Sequence, residues 1–391
     1  MSDICNLCGR DALSHCYQPE KSTRGIAVYL CRHCGLVQSL PRADRDRRAP
    51  AAVSSGADWG NVRYGKGFRT KAAIAALKRN ADLGSRISLL DVGSNRGSFA
   101  KAFLDAAPSA QLVAVEPDER VADSCAGLDR VELIAARIED APLETGRFDI
   151  VHSCHTIEHL ADPGRVLSDH WRVLRDGGIL LVDAPNIALI GAEDIVEEWF
   201  IDKHLHHFSA WTLRSMIESA GFEIVQDADE TDRSNLLFVA RKKDSPRASQ
   251  PAGDTGEVAR AEALVTEYVA NRARNLIALT AVAAEIARLA PRGVALWGAG
   301  RIFDSLVVHG RLDPSALTLL IDTHLKSLVP IRHGRRLADP EALSESDAGV
   351  VVVMSRDFAG EIAERARSLS PNAEIVLYSE LLSRARLRLA A

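Results

Sequence analysis

The sequence has no excess of positive charge, no long apolar run and no signal-peptide pattern, and each absence removes a class of partner. With 48 Lys and Arg against 53 Asp and Glu, the formal charge is −5, which offers no global attraction to phosphate backbones or anionic membranes. Neither nucleic acid nor a membrane surface is therefore an expected partner. No uninterrupted apolar stretch reaches the roughly 18 residues needed to cross a bilayer. Met1-Ser2-Asp3 meets Cys5 without the basic and apolar segments of a signal peptide, so the expected location is the cytoplasm. Internal repetition of solenoid type is also missing. A disulfide framework is not indicated either: of seven cysteines in 391 residues, four fall in two tight pairs, which suits metal ligation in a reducing compartment.

What the chain does contain is enough apolar material for a large core. Apolar residues are 47% and charged residues 26% of the sequence, the balance of globular protein. A chain of 391 residues exceeds what one hydrophobic core usually serves, so two or three domains are expected. Residues 1–45 hold the cysteine pairs and read as a first module. The basic stretch Arg42 to Arg48 and the Ala/Ser/Gly-rich residues up to Gly56 read as a linker or mobile loop. In residues 57–243, strand-length apolar runs alternate with helical patterns: Ile87 to Val92, Gln111 to Val115, Phe148 to Ser153 and Gly178 to Asp183. That alternation predicts a mostly parallel sheet with helices on both faces. Residues 244–256 offer little to bury and mark the next boundary. Residues 257–391 open with a helical stretch to about Leu289, on which Leu264, Tyr268, Leu276, Leu279, Val282 and Ile286 share a face. Four further runs, Val294 to Trp297, Leu317 to Ile321, Gly349 to Met354 and Glu374 to Leu377, predict a second, smaller α/β unit.

Cys5-x-x-Cys8 and Cys31-x-x-Cys34 are two knuckles that each place two thiolates on one face of a tight turn. Gly9 and Gly35 follow the second cysteine of each pair, where such a turn accepts a positive φ. The four thiolates can complete a tetrahedral Zn2+ site with no open position for water, which makes its expected role structural. Two unligated or redox-active pairs are the alternative, and Cys16, His15 or His33 could substitute for one ligand.

Ile87 to Gly97 is an apolar strand running into a turn that carries Asp91, Gly93, Asn95 and Gly97, with a helical pattern from Ser98 to Ala107 behind it. Such a turn lets backbone N–H groups approach a nucleotide-like ligand at the carboxyl edge of the sheet. Asp91 can receive the ammonium of an amino-acid moiety, directly or through water. Glu116, ending the next predicted strand and followed by Pro117, can accept hydrogen bonds from two ribose hydroxyls at the expected distance from the glycine turn. Arg137-Ile138-Glu139-Asp140 lies at a plausible third strand end, where Ile138 offers an adenine apolar contact and a backbone donor. Phe148-Asp149-Ile-Val and His155-Thr-Ile-Glu158-His159-Leu-Ala-Asp162-Pro163 supply a fourth strand, a polar mouth and a new helix.

These blocks resemble those of the class I S-adenosylmethionine-dependent methyltransferases over residues 85 to about 240, including Val173 to Gly178 and Ala220-Gly-Phe222. The resemblance implies an α/β fold, a Rossmann-like domain binding S-adenosylmethionine through Asp91, Gly93, Asn95, Gly97, Glu116, Pro117, Ile138, Glu139 and His155. The four-cysteine zinc module and the C-terminal Rossmann-like α/β domain make the whole chain similar to the C-methyltransferases of nucleotide-linked deoxysugars. That implies a small acceptor, a sugar or nucleotide sugar. In that family a Glu-His pair before a Tyr-Phe-Ser-like segment serves the acceptor. Here the residues are Lys203-His204, ahead of His207-Phe208-Ser209, so the histidine matches and the glutamate does not.

Methyl transfer from a sulfonium needs alignment and a base, and imidazole titrates near the working pH. His204 is the first candidate base, and His155, His159 and Tyr64 are further candidates at the acceptor. Glu158 and His159 could instead only pin the following helix, and one of His206 and His207 reads as a core or capping residue. The C-terminal Trp297-Gly298-Ala-Gly300 turn with Asp322 after the next strand is a weak nucleotide signal, because Phe303 stands at the third glycine position. Two other classes of function compete: a nicotinamide-dependent oxidoreductase using that turn, and a zinc-containing binding protein with an inactive donor site.

Overall fold

Successive side chains of a strand point to opposite faces, and the apolar runs of the sequence are buried on both. The computed structural model of the protein describes residues 4–20, 22, 24–41, 67–118, 127–244, 251–327, 329–356 and 358–390. They form two compact units. The first holds the described residues up to 41 with Gly67–Ile190 and Phe200–Thr266, and the second holds Gly191–Trp199 and the residues from Glu267 onward. Among the described residues no helix is long and apolar enough to cross a membrane.

The first unit opens with three antiparallel strands, β1 (Leu13–Tyr17), β2 (Ala27–Cys31) and β3 (Val37–Leu40). Helix α1 (Phe68–Asn80) follows, then β4 (Ser88–Val92), α2 (Ser98–Ala106), β5 (Gln111–Val115), β6 (Val131–Ile134), β7 (Phe148–Cys154), α3 (Pro163–Val173) and β8 (Leu174–Pro185). The two-residue strand β9 (His206–His207), helix α4 (Ala210–Ser219) and the strands β10 (Phe222–Gln226) and β11 (Asn235–Lys242) complete it. Two sheets result. The large one has the order β10-β11-β8-β7-β4-β5-β6, with β4 to β8 parallel and β11 antiparallel to both of its neighbours. The small one has the order β1-β2-β3-β9.

The strand period produces three layers in the large sheet. Leu90, Val92, Val113, Val115 and Val151 pack on one face with Val166 and Leu167 of α3 and Leu213 and Met216 of α4. Leu89, Leu112, Ala114 and Ile150 pack on the other with Ala76 and Leu77 of α1 and Phe99 and Phe103 of α2. Helix starts are fixed locally. The Asp162 side chain accepts from Arg165 N ahead of Pro163 in α3, and Ser209 and Thr212 form a reciprocal capping box at α4.

Helix α5 (Thr255–Leu289) belongs to the first unit up to Thr266 and to the second from Glu267. The second unit then contains β12 (Val294–Trp297), α6 (Arg301–Val308), β13 (Leu319–Ile321), the hairpin β14 (Ile331–Arg332) and β15 (Arg335–Arg336), β16 (Val350–Val353), α7 (Ala359–Leu369), β17 (Glu374–Leu377) and α8 (Tyr378–Ala390). Its four-stranded sheet is wholly parallel, in the order β13-β12-β16-β17. Phe303 fills its core beside Leu296 and Val352, so the residue at the third glycine position of the turn is a packing residue.

Candidate active site

Parallel pairing brings the carboxyl ends of β4 to β8 to one edge of the large sheet. The turn after β4 takes a path few residues can follow, with φ of 72° at Gly93, 49° at Asn95 and 73° at Gly97. A Cβ on Gly93 would lie 2.2 Å from Thr156 Oγ1, a hydroxyl within 3.2 Å of both Val92 O and Cys154 O. Glycine here is therefore a steric requirement of the neighbouring strand end as well as a backbone one.

Glu116 is buried at the end of β5 and is held by the same turn. Asn95 N donates to its Oε2 at 2.8 Å and Asp118 N to its Oε1 at 2.9 Å. Burial pushes its carboxyl above the usual carboxylate range, while those two backbone N–H groups pull it back. Each carboxylate oxygen can accept a second hydrogen bond, which leaves capacity for two ligand hydroxyls. Asp91, on β4, is also buried. Its Oδ1 lies 2.7 Å from His152 Nδ1, and its Oδ2 has no hydrogen-bond partner. The His152 ring stacks on Phe99 at 3.5 Å, which fixes the imidazole and through it the carboxylate. A buried acceptor without a donor suits an ammonium or an ordered water. The crevice thus offers both groups an amino-acid nucleoside needs, with a glycine cradle between them.

Ile138 and Glu139 lie on a short 3₁₀ turn after β6. Ile138 is buried, Glu139 pairs with Arg137 at 2.9 Å, and both border a cavity of about 90 Å³ shared with Arg165, Asp169 and His170. Pro117 follows Glu116 directly. Tyr64 lies outside the described residues.

A second constellation occupies the ends of β7 and β8. His155 has a positive φ of 48°, its N donates to Asp183 O at 2.7 Å, and its Nε2 lies 3.0 Å from Asn235 Oδ1. Burial first, then the charge of Arg69, holds this imidazole well below its ordinary value, so it is neutral. The next turn, Ile157–His159, carries Glu158, which is 1% exposed. Apart from its own backbone N–H, no group among the described residues hydrogen-bonds to its carboxylate, and Oε1 stands 3.6 Å from both His155 Nδ1 and His159 Nε2. Burial pushes its carboxyl up to about 8, and that of nearby Asp183 up to about 6. His159 Nδ1 lies 2.8 Å from Lys203 O, and its ring centroid is 4.9 Å from that of His204. The fold therefore brings together His155, His159 and His204, three of the four histidine and tyrosine candidates read from the sequence, around a buried acid.

The four-cysteine cluster is the third feature. Cys5, Cys8, Cys31 and Cys34 are all buried, with Sγ atoms within 4.8 Å of one another and 3.6 Å between Cys5 and Cys34 and between Cys8 and Cys31. Sulfurs bound at about 2.3 Å to one tetrahedral ion stand about 3.8 Å apart, so the donor set fits Zn2+. Both knuckles close in the same way, Gly9 N on Cys5 O at 2.8 Å and Gly35 N on Cys31 O at 2.9 Å. Asn6, between the first two cysteines, reaches His206 Nε2 at 3.1 Å and Ala161 O at 2.7 Å. Strand β3 pairs with β9, and Ser39 Oγ lies 2.9 Å from His207 Nε2. Leu205 N in turn donates to Glu158 O at 2.8 Å. The cysteine sheet thus clamps the segment that carries His204 beside the Glu158 turn. His206 and His207 are both buried in this clamp.

In the second unit Asp322 ties its own loop to the glycine turn after β12, accepting from Leu325 N at 2.9 Å and His324 N at 3.1 Å on one oxygen and from Ala299 N at 3.0 Å on the other.

The strand order with its single reversed strand, and the crevice after β4 and β5, define the first unit's large sheet as a Rossmann-like class I methyltransferase fold. Residues 66–227 match the profile of a family described as a methyltransferase domain. The chain is 32% identical over 138 residues to a probable S-adenosylmethionine-dependent methyltransferase of Mycolicibacterium smegmatis, covering 35% of this chain and 52% of that protein. It is 34% identical over 136 residues to another probable S-adenosylmethionine-dependent methyltransferase, from Mycobacterium tuberculosis, covering 34% and 48%. The chain spans about half the length of these curated relatives, at 52% and 48%. Among solved structures it is similar to an S-adenosylmethionine-dependent methyltransferase from Mesorhizobium loti, with 16% identity, 43% of this chain and 96% of that chain covered, and a TM-score of 0.37. Residues 66–227 thus carry a methyltransferase domain, and the sheet they build has the class I fold.

Sequence reasoning missed several members of the site. His152 reads as an ordinary interior residue of an apolar run, although its place on β7 opposite Asp91 on β4 makes it the aspartate's partner. Asp183 closes an apolar strand, a signal that could have been used as it was for Glu116. Asn235 and Thr156 gave no local signal, because the first enters through an antiparallel strand and the second through contact with a glycine.

Proposed function

We propose that the chain transfers the methyl group of S-adenosylmethionine to a small acceptor, a sugar or nucleotide sugar, at the mouth of β7 and β8. The observation that carries this reading is the pair of buried carboxylates, Asp91 and Glu116, on neighbouring strands and joined by a turn that admits only glycine at position 93. Asp91 would hold the donor's ammonium and Glu116 its ribose hydroxyls, with Gly93, Asn95, Gly97 and Pro117 lining the turn and Ile138 and Glu139 on the adenine side. The donor supplies a methyl on a sulfonium, whose departure needs no acid. What remains for the protein is to align the acceptor and take its proton.

A histidine of the group His155, His159 and His204 takes that proton. The closeness of the His159 and His204 rings and of His155 and His159 to Glu158 supports this assignment. The cysteine cluster holds Zn2+ in a structural role, keeping the His204 segment in register through β3 and β9.

Calorimetric titration with S-adenosylmethionine and with its demethylated product tests the donor site, and binding of neither removes the reading. Transfer of a labelled methyl to a panel of nucleotide sugars and free sugars tests the acceptor class, and labelling of none of them overturns that part.

A further inference from the structure

Glu158, His159 and His204 make a group in which each residue offers one ligand atom, all within 4.8 Å of one another. The two imidazoles are partly exposed, whereas the carboxylate beneath them is 1% exposed. A buried carboxylate normally takes several hydrogen bonds. Here, apart from its own backbone N–H, no group among the described residues hydrogen-bonds to either oxygen, and ring nitrogens of His155 and His159 stand 3.6 Å from Oε1. The charges of Arg69 and Lys203 act on Glu158 without hydrogen bonding to it.

The tautomer of His159 is set by its second contact. A carbonyl can only accept, so Nδ1, 2.8 Å from Lys203 O, carries the proton and Nε2 presents a lone pair toward Glu158. A ring N–H donated to a backbone carbonyl is the outer-shell contact that metal-ligating histidines make through the nitrogen turned away from the ion. Ligand atoms about 2.1 Å from one ion stand about 3.0 to 3.5 Å apart, so the Glu158–His159 separation of 3.6 Å is close to closing. His204 closes by a small movement of an accessible ring.

We propose that Glu158, His159 and His204 bind a divalent transition-metal ion, separate from the four-cysteine site. Two imidazoles and one carboxylate leave positions open, and an ion so bound takes oxygen ligands from solvent or from the acceptor. An ion so held would make a bound acceptor hydroxyl easier to deprotonate. The metal site stands on geometry alone, while its role toward an acceptor rests on the methyl-transfer reading.

The test is zinc stoichiometry of the full chain by equilibrium dialysis followed by elemental analysis. The wild type is expected to hold one ion per chain more than E158Q and one more than His204→Asn, the second variant guarding against a fold defect at the buried acid. Circular dichroism and S-adenosylmethionine titration accompany each variant. Equal zinc content in wild type and both variants overturns the proposal, as it would if Lys203 rather than a cation neutralised Glu158. Donor binding with no difference in zinc defeats the metal site and leaves the methyl-transfer reading standing. A difference of one ion without donor binding does the reverse.

Discussion

Gly93→Ala is the most direct probe of the donor turn, because two separable costs meet at one methyl group. The first is conformational: at φ 72° an L-residue loses about 1–2 kcal/mol. The second is steric, since the new Cβ would stand 2.2 Å from Thr156 Oγ1 but 3.4 Å from that residue's Cβ and Cγ2. Moving the hydroxyl aside forfeits its bond to Val92 O or Cys154 O, about 0.5–1.5 kcal/mol, and shifts the turn that presents Asn95 N to Glu116. The sum is about 1.5–3.5 kcal/mol in urea unfolding, with a donor affinity reduced by at least about tenfold. Gly146→Ala is the internal control, because Gly146 has φ 66° with nothing within 4 Å of its added Cβ, and it should lose only the conformational part. Thr156→Ala removes the colliding atom, so the double variant Gly93→Ala/Thr156→Ala should cost less than the sum of its singles. Additive costs in that cycle, or a Gly93→Ala protein no less stable than Gly146→Ala, would refute the steric argument.

Four further outcomes are expected. Glu116→Gln should weaken S-adenosylmethionine binding by about ten- to a hundredfold, the loss of charge-assisted hydrogen bonds worth about 1.5–3 kcal/mol; unchanged affinity in calorimetry removes the ribose assignment. His204→Ala should lower turnover by about 10²- to 10⁴-fold while donor affinity stays within a factor of two, and an equal loss of both would make the side chain a support of the fold. Cys31→Ser should release the ion of the cysteine cluster, read by elemental analysis, and lower turnover more than donor affinity, because β9 leads back to His204 whereas Gly93 and Glu116 lie on other strands; full retention of zinc contradicts the ligand set. His170, buried in α3 with no partner for Nδ1, is held down at about 4. A depressed histidine stabilises the fold above its unfolded value near 6.5 and loses that contribution as pH falls toward 4. From pH 7 to pH 5 the wild type should therefore lose about 2 kcal/mol relative to His170→Gln in urea unfolding, and a gap independent of pH counts against the burial argument.

Much of the large sheet was legible because its strands are apolar on both faces. Leu89, Leu90, Val113, Ile150 and Leu180 give continuous runs that only a covered parallel sheet accounts for. The buried acids of the crevice were legible for a related reason: a carboxylate closing such a run, as Glu116 does, has to meet either water or a ligand. What composition and spacing could not give is the completion of one element by another far along the chain. Strand β9 is two residues long and has no periodicity of its own, so nothing in Lys203 to Ser209 shows that it pairs with β3. The same limit hid Asn235, which reaches His155 because β11 pairs with β8 in a register that sets it opposite Pro185. Residues 191–199, read inside the alternating segment, belong to the second unit, where Asn275 Nδ2 donates to Glu193 O at 2.8 Å and to Ile195 O at 2.9 Å. A buried asparagine in a long helix does not announce which loop it will hold.

The two sides of the site are built from different materials, and this has a mechanical consequence. On the donor side, Asp91 and Glu116 are fixed by hydrogen bonds to His152 and to the backbone of the glycine turn, within a core packed on both faces. The histidine side consists of the turn Ile157–His159 and the segment from Lys203 to Phe208, joined by contacts such as Leu205 N to Glu158 O and His159 Nδ1 to Lys203 O. Short irregular segments of this kind open locally at lower free energy than core strands. The paired strands β3 and β9, with Asn6 and Ser39 bound to His206 and His207, supply the restraint those segments lack. A zinc ion at the four cysteines would fix the knuckle around Asn6 and stiffen the placement of His204 without touching the acceptor, which is why its loss should separate turnover from donor affinity.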